Sequence, residues 1–521
     1  MEARSLLGWV SFLFTRVLFP GEGAADTRVR PWALLVVVLL PAAVLYPTLN
    51  FHLLEPDEGR YAQIPKEMVA NDAWVVPTLQ GQPYLDKPPL MYWLVALSYQ
   101  AFGVSPAAAR LVPAVCVHLT ILAVYLIGRR SVGERGAFWA ALLLSVAPGF
   151  VCVARLLLLD GLLTLCVTVS VLCGFEAVRT GAMKPGWWVA AAFASGLGFL
   201  TKGPIAEMLL FVPLWTYGFL AARQVARLRH YALFAAVVVA VNVPWYVAML
   251  REQPQFLGYF FWQHNVMRFL QPFDHLQPIW YYVPILLGGL LPGTVLLVAF
   301  ARDLLRGERA TTTRPALAAG FWLLAGLWCV FFFSCSGSKL PTYILPAYPF
   351  LCLALGEFVG RTRWNTSLAT PGLVGVMASF VLFVSHVGMP WYAKERSPYG
   401  RPELVERFVA DPDTSVLCFP RNCDSLAFYS NRSDLRNVRT KDVNQMFVEC
   451  HHRPETVILF THQQSLAGFK EILPPSLGIR EEVSLRRKYG RGVLDALFGS
   501  TPWGLCDVVV VYPKYQVPPR Q

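Results

Sequence analysis

Hydrophobic positions in this chain fall in long unbroken runs, not in the alternating or amphipathic patterns of a soluble fold. Trp32–Leu45 and Leu286–Phe300 contain no charged residue at all. A hydrocarbon core about 30 Å thick is crossed by roughly 20 helical residues. On that scale about eleven segments read as spans, with cores near 31–50, 108–128, 136–152, 158–178, 187–201, 204–221, 231–250, 280–301, 316–335, 341–360 and 370–390. Segment 89–103 is apolar but short, led by proline and rich in Tyr and Trp, and it reads as an interfacial helix. Past residue 390 the pattern changes. Thr414–Phe419, Thr456–Phe460 and Val508–Tyr512 are strand-like runs set among polar and proline-containing stretches. The expected fold is an α-helical polytopic membrane protein of about 11 transmembrane helices (range about 10–13) with a small C-terminal α/β soluble domain. The expected domains are an N-terminal arm over 1–30, a membrane domain over 31–390 with a large outward loop at 51–107, and the α/β domain over 391–521.

Composition narrows the class. Of 521 residues 55% are hydrophobic and 15% charged, against roughly 25% charged in ordinary soluble domains. A soluble enzyme, a disordered chain and a secreted disulfide scaffold are excluded. The net charge of +12 would suit nucleic acid, but its placement gives another reading. Arginines and lysines at 4, 16, 28, 30, 129, 130, 135, 179, 184, 223, 227, 229, 302, 306, 309, 314, 361 and 363 occupy the arm and alternate short loops. The loops between them hold half as many: 60, 66, 87, 110, 155, 202, 251, 268 and 339. Cationic loops stay cytoplasmic, so the second group, the loop at 51–107 and the tail face outward. The charge then reports orientation and calls for no nucleic-acid partner.

The outward loops carry the candidate chemistry. Glu55-Pro56-Asp57-Glu58-Gly59-Arg60 follows the first span directly. Carboxylates at a hydrocarbon boundary are disfavoured unless solvated or paired, so this is either a solvated acidic loop or a general-base or metal site. Asp86-Lys87-Pro88-Pro89 sets a carboxylate and a cation beside a stiff turn. Asp160 stands alone between apolar segments, as a helix-end cap or a functional acid. Thr201-Lys202-Gly203-Pro204, Gln263-His264-Asn265 with Arg268, and Ser336–Tyr343 with Lys339 complete the set. Singly, each cation reads equally well as an interfacial anchor. Together they form a one-sided group able to hold an anionic phosphate while a carboxylate acts as base. A transporter or flippase is the rival reading, but the span interiors are almost free of charge, Glu207 being the nearest exception.

Asp57-Glu58 after the first span, Lys87-Pro88-Pro89-Leu90 with Tyr92-Trp93, Asp160-Gly161, Thr201–Pro204 and Ser336–Pro346, in this order, resemble the GT-C glycosyltransferases. Within them the nearest likeness is to the bacterial aminoarabinose transferase branch, related to the protein mannosyltransferases. The resemblance spans about residues 30 to 350. It implies inverting transfer of a sugar from a polyprenyl-phosphate carrier to lipid A, another glycolipid or a protein, on the periplasmic face of a bacterial inner membrane. By motif, Asp57 with Glu58 and Asp160 would be the catalytic acids. Lys87, Arg268, Lys339 and Tyr343, with Lys202, would hold the donor phosphate. Asp86, where the family often has Glu, and His264 would be ligands of a divalent metal ion.

Overall fold

The computed structural model describes residues 27–220, 226–271, 275–306, 318–362, 364, 369–432, 434–461, 465–484 and 507–514. They pack as two compact units. One is drawn from segments up to Pro47, Leu85–Leu94 and Arg110–His386, the other from Thr48–Tyr84, Val95–Ala109 and Val387 onward.

The first unit is helical, and every segment marked by hydropathy contains a helix. Among the described residues Pro106–Leu126, Leu159–Val178, Leu228–Glu252 and Ala369–Arg396 are each long and apolar enough to cross a membrane. Two further runs are broken: Arg129–Val146 and Pro148–Ala154 meet at 61°, and Ile279–Gly289 and Gly293–Leu304 at 105°. Proline explains both breaks, because Pro148 and Pro292 lack the N–H that a continuous helix would need. Pro31–Leu45, Leu90–Phe102, Ile205–Leu220 and Ala319–Cys335 are shorter apolar helices. Arg129–Val146 packs along Ala347–Arg361 more extensively than any other helix pair among the described residues. A Cβ on Gly356 would lie 2.4 Å from the Gly136 carbonyl oxygen. Hydrophobicity does not drive helices together within lipid, so close backbone approach at small residues supplies the packing.

In the second unit the tail forms a five-stranded sheet in the order Arg436–Asn437, Ser415–Phe419, Thr456–Phe460, Asp507–Pro513, Leu477–Ser484. The first three strands are parallel and the last two antiparallel to their neighbours. Val416, Cys418, Val457 and Val508 face one core, and Leu417, Ile458, Val509 and Val511 the other. The central strands therefore read as continuous apolar runs. Leu477–Ser484 escaped the hydropathy reading because it is an edge strand with Arg480, Glu481 and Glu482 in its outer half.

Candidate active site

In the helical unit, Leu159–Val178 and Pro185–Lys202 are successive antiparallel helices. The start of one therefore meets the end of the next. Asp160 lies in the first turn of the former and Lys202 closes the latter, where a carboxylate and an ammonium each complement the helix dipole. Lys202 Nζ donates to Asp160 Oδ1 at 2.6 Å. The ammonium also lies 4.6 Å from the centre of the Tyr343 ring, within cation–π range. Gly203 ends the helix at φ +84°, and a Cβ there would approach the Phe260 ring to 3.0 Å. The turn thus needs glycine for its conformation and for space.

The other expected residues of the helical unit differ in what they do. The Tyr259 hydroxyl donates to Asp86 Oδ1 at 2.6 Å. Lys339 is buried, and its ammonium donates to the Gln277 carbonyl at 2.9 Å and to the Ser336 carbonyl. Here it ties loop backbone together. Lys87 is half-buried in the turn that precedes Leu90–Phe102. His264 falls in the π-helical stretch Gly258–Met267 and Arg268 begins the next short helix; their side chains lie outside the described residues. Among the described residues no group of three or more His, Cys, Asp or Glu stands together so as to hold a metal ion. Asp86 offers a single carboxylate, already engaged by Tyr259.

In the second unit, Asp57 and Glu58 open the helix Asp57–Asn71. They part there. Glu58 is buried and its Oε2 accepts the Leu54 N–H at 2.9 Å, closing the turn. The Asp57 side chain stays 41% exposed, with Arg60 Nη1 3.7 Å from its Oδ1. Arg60 Nε in turn lies 3.7 Å from Asp424 Oδ2. Asp424 is buried, and its Oδ1 accepts from Gln80 Nε2 at 3.1 Å and Asn437 Nδ2 at 3.2 Å. Glu55 Oε1 accepts the Ser425 N–H at 2.5 Å. Burial holds the Glu55 carboxyl well above the usual carboxylate range and pushes Asp424 up to about 6.

Comparison with known proteins decides the family. Residues 86–247 match the family described as dolichyl-phosphate-mannose-protein mannosyltransferase. The undecaprenyl phosphate-alpha-4-amino-4-deoxy-L-arabinose arabinosyl transferase of Pseudomonas savastanoi pv. phaseolicola is 34% identical over 490 residues, 92% of this chain and 90% of that protein. The chain belongs to this arabinosyl transferase family. The Yersinia enterocolitica transferase is 31% identical over 72% of this chain and 67% of its own length. ArnT from Cupriavidus metallidurans, solved bound to undecaprenyl phosphate, superposes with a TM-score of 0.73 at 21% identity, covering 94% of this chain and 99% of that one. The archaeal oligosaccharyltransferase AglB from Archaeoglobus fulgidus shares the fold more distantly, with a TM-score of 0.51 at 13% identity over 84% of this chain and 70% of that one.

As an arabinosyl transferase family member the chain is a multi-pass membrane glycosyltransferase, and the transporter reading falls. Sequence reasoning named Asp57, Asp160, Lys202 and Tyr343; it did not name Tyr259, Gln80, Asp424, Ser425 and Asn437, which hydrogen-bond around Asp86 and the acidic loop. The last three lie in a tail without a catalytic motif. A signal was present in the acidic loop itself. Glu55 and Arg60 beside an apolar span need partners, and the tail holds polar residues able to serve.

Proposed function

We propose that this transferase moves 4-amino-4-deoxy-L-arabinose, or a close aminosugar, from undecaprenyl phosphate to lipid A or a similar glycolipid. We place the reaction on the periplasmic face of a bacterial inner membrane. The donor and sugar follow from the arabinosyl transferases that share up to 34% identity over most of the chain. The single structural observation that supports the chemistry is the separation of roles in the acidic loop. Glu55 and Glu58 are tied to backbone N–H groups, whereas Asp57 remains accessible. A base must reach the proton it takes, and in that loop Asp57 meets the condition.

In this reading an acceptor oxygen attacks the anomeric carbon, the proton it carries passes to Asp57, and the carbon–oxygen bond to the donor phosphate breaks. Direct displacement inverts the centre. The phosphate leaves as an anion, and a cation placed where that charge develops lowers the barrier. Lys202 serves this role, held by Asp160 on one oxygen and by the Tyr343 face, with Lys87 and Arg268 as further phosphate ligands. Asp160 orients the ammonium.

The test is Asp57→Asn in full-length protein purified in detergent and given undecaprenyl phosphate-linked aminoarabinose with lipid A. Loss of transfer with retained donor binding is expected, and wild-type turnover would overturn the assignment. For the orientation, a reporter fused after residue 400 should be active only in the periplasm; cytoplasmic activity would reverse it.

A further inference from the structure

The acidic loop is moored by the tail. Within the second unit, the helix Asp424–Ser430 receives it at four points. Ser425 N–H binds Glu55, and Asp424 faces Arg60. The Tyr429 hydroxyl accepts from the Leu53 N–H at 2.9 Å, and the Phe428 carbonyl from Lys66 Nζ at 2.8 Å. The approach is close enough that a Cβ on Gly59 would lie 2.5 Å from the Ser425 nitrogen.

We propose that Asp424 of the C-terminal domain is a positioning residue for glycosyl transfer, acting on Asp57 through Arg60. The proposal rests on the reading of Asp57 as the acceptor's base. Arg60 stands between two carboxylates at equal distance, 3.7 Å from each. A guanidinium paired with Asp57 alone would draw down its affinity for a proton and weaken it as a base. The second carboxylate offsets that charge and fixes where the guanidinium lies. Asp424 itself is locked, since Gln80 and Asn437 both donate to its Oδ1 and Asn437 Nδ2 also donates to Gln80 Oε1 at 2.9 Å. Asn437 belongs to the five-stranded sheet and Gln80 to the turn between the paired strands Thr78–Leu79 and Gln82–Pro83, so the chain of restraint runs from sheet and hairpin to Asp424, to Arg60, to Asp57.

The identity of residue 424 supports the same inference. An asparagine would accept the Gln80 and Asn437 hydrogen bonds through its own oxygen without the cost of a buried charge. A costly group kept where a cheaper one would fold equally well is characteristic of functional sites. What aspartate adds is charge toward Arg60.

The experiment compares Asp424→Asn, Arg60→Gln, their double variant and Asp57→Asn in the full-length detergent-purified enzyme, with undecaprenyl phosphate-linked aminoarabinose and lipid A. Asp424→Asn is expected to lower kcat at least about tenfold, as misplacement by about 1 Å does elsewhere. The KM for the donor should stay constant and the thermal midpoint at pH 8 should not fall. The double variant should be no worse than Arg60→Gln alone, because both act through one guanidinium. An unchanged kcat, or a kcat loss matched by a falling thermal midpoint, overturns the proposal. Asp57→Asn separates the two levels. If it is inactive while Asp424→Asn is unaffected, the base stands and the positioning role fails. If Asp57→Asn turns over at the wild-type rate, both fall.

Discussion

Lys202→Met tests the Asp160–Lys202 pair most sharply. The substitution keeps the side chain's apolar length and removes the ammonium that sits 2.6 Å from Asp160 Oδ1. The two side chains are 17% and 10% exposed, so most of the hydration that would compensate a lone carboxylate is absent. Removing one partner of a buried ion pair costs roughly 3–5 kcal/mol. The residual exposure places this site toward the lower end, near 3 kcal/mol, or about a hundredfold in the folded-to-unfolded ratio. Asp160→Asn in the same background removes the stranded charge, so the double variant should recover at least about half of that loss. The assay is reversible unfolding in mixed micelles followed by tryptophan fluorescence, with all four members of the cycle. A coupling energy of about 1.5 kcal/mol or more is expected. Additive losses would refute the reasoning, because they would mean that neither charge senses the other. In the same preparations Lys202→Met should lower kcat/KM about ten- to a hundredfold, the worth of a charge-assisted hydrogen bond to the donor phosphate.

Other outcomes follow from the same contacts. Gly59→Ala places a Cβ 2.5 Å from the Ser425 nitrogen and 2.6 Å from Glu55 Oε1; it should destabilise the protein by about 1–3 kcal/mol, and an unchanged unfolding midpoint would contradict the close approach. The pH dependence has a defined sign: with Asp424 raised from 3.8 to about 6, the folded state holds its proton more tightly than the unfolded chain. Stability should therefore fall as pH rises from about 4 to about 6, by up to roughly 3 kcal/mol. Asp424→Asn should flatten that slope in a pH series of unfolding midpoints, and a slope that survives would assign it to another group. Treatment with EDTA tests the divalent-metal expectation at Asp86, whose carboxylate accepts from Tyr259: unchanged transfer would mean that neither Asp86 nor His264 serves a required metal. Activity lost in EDTA and restored by Mg²⁺ or Mn²⁺ would instead show Asp86 and His264 to be a metal site.

Much of the fold was legible because a membrane imposes one loud rule: apolar runs of helix length with charges at their ends. Asp160 and Lys202 could be picked out for the same reason, as charges at the boundaries of apolar runs. Their pairing was not legible. It depends on two antiparallel helices whose ends meet across 42 residues of sequence, which hydropathy does not report. The sharp bend at Pro292 also lies inside a run whose composition reads as one straight span. Glu58 shows a different limit. Beside Asp57 it carries the same chemistry on paper, yet its carboxylate is consumed by the Leu54 N–H. Asp424 was silent because its meaning lies in Arg60, distant in sequence, and its own surroundings are those of an ordinary small helix.

The central claim is that this chain transfers an aminosugar from undecaprenyl phosphate to a glycolipid, with Asp57 taking the acceptor's proton. The direct measurement is single-turnover transfer by the full-length enzyme in nanodiscs. Mass spectrometry would follow the undecaprenyl phosphate released and the glycosylated lipid A formed, for wild type and Asp57→Asn. The account predicts equal amounts of the two products from wild type and neither from Asp57→Asn. Donor consumption without glycosylated lipid A, or wild-type turnover by Asp57→Asn, would contradict it.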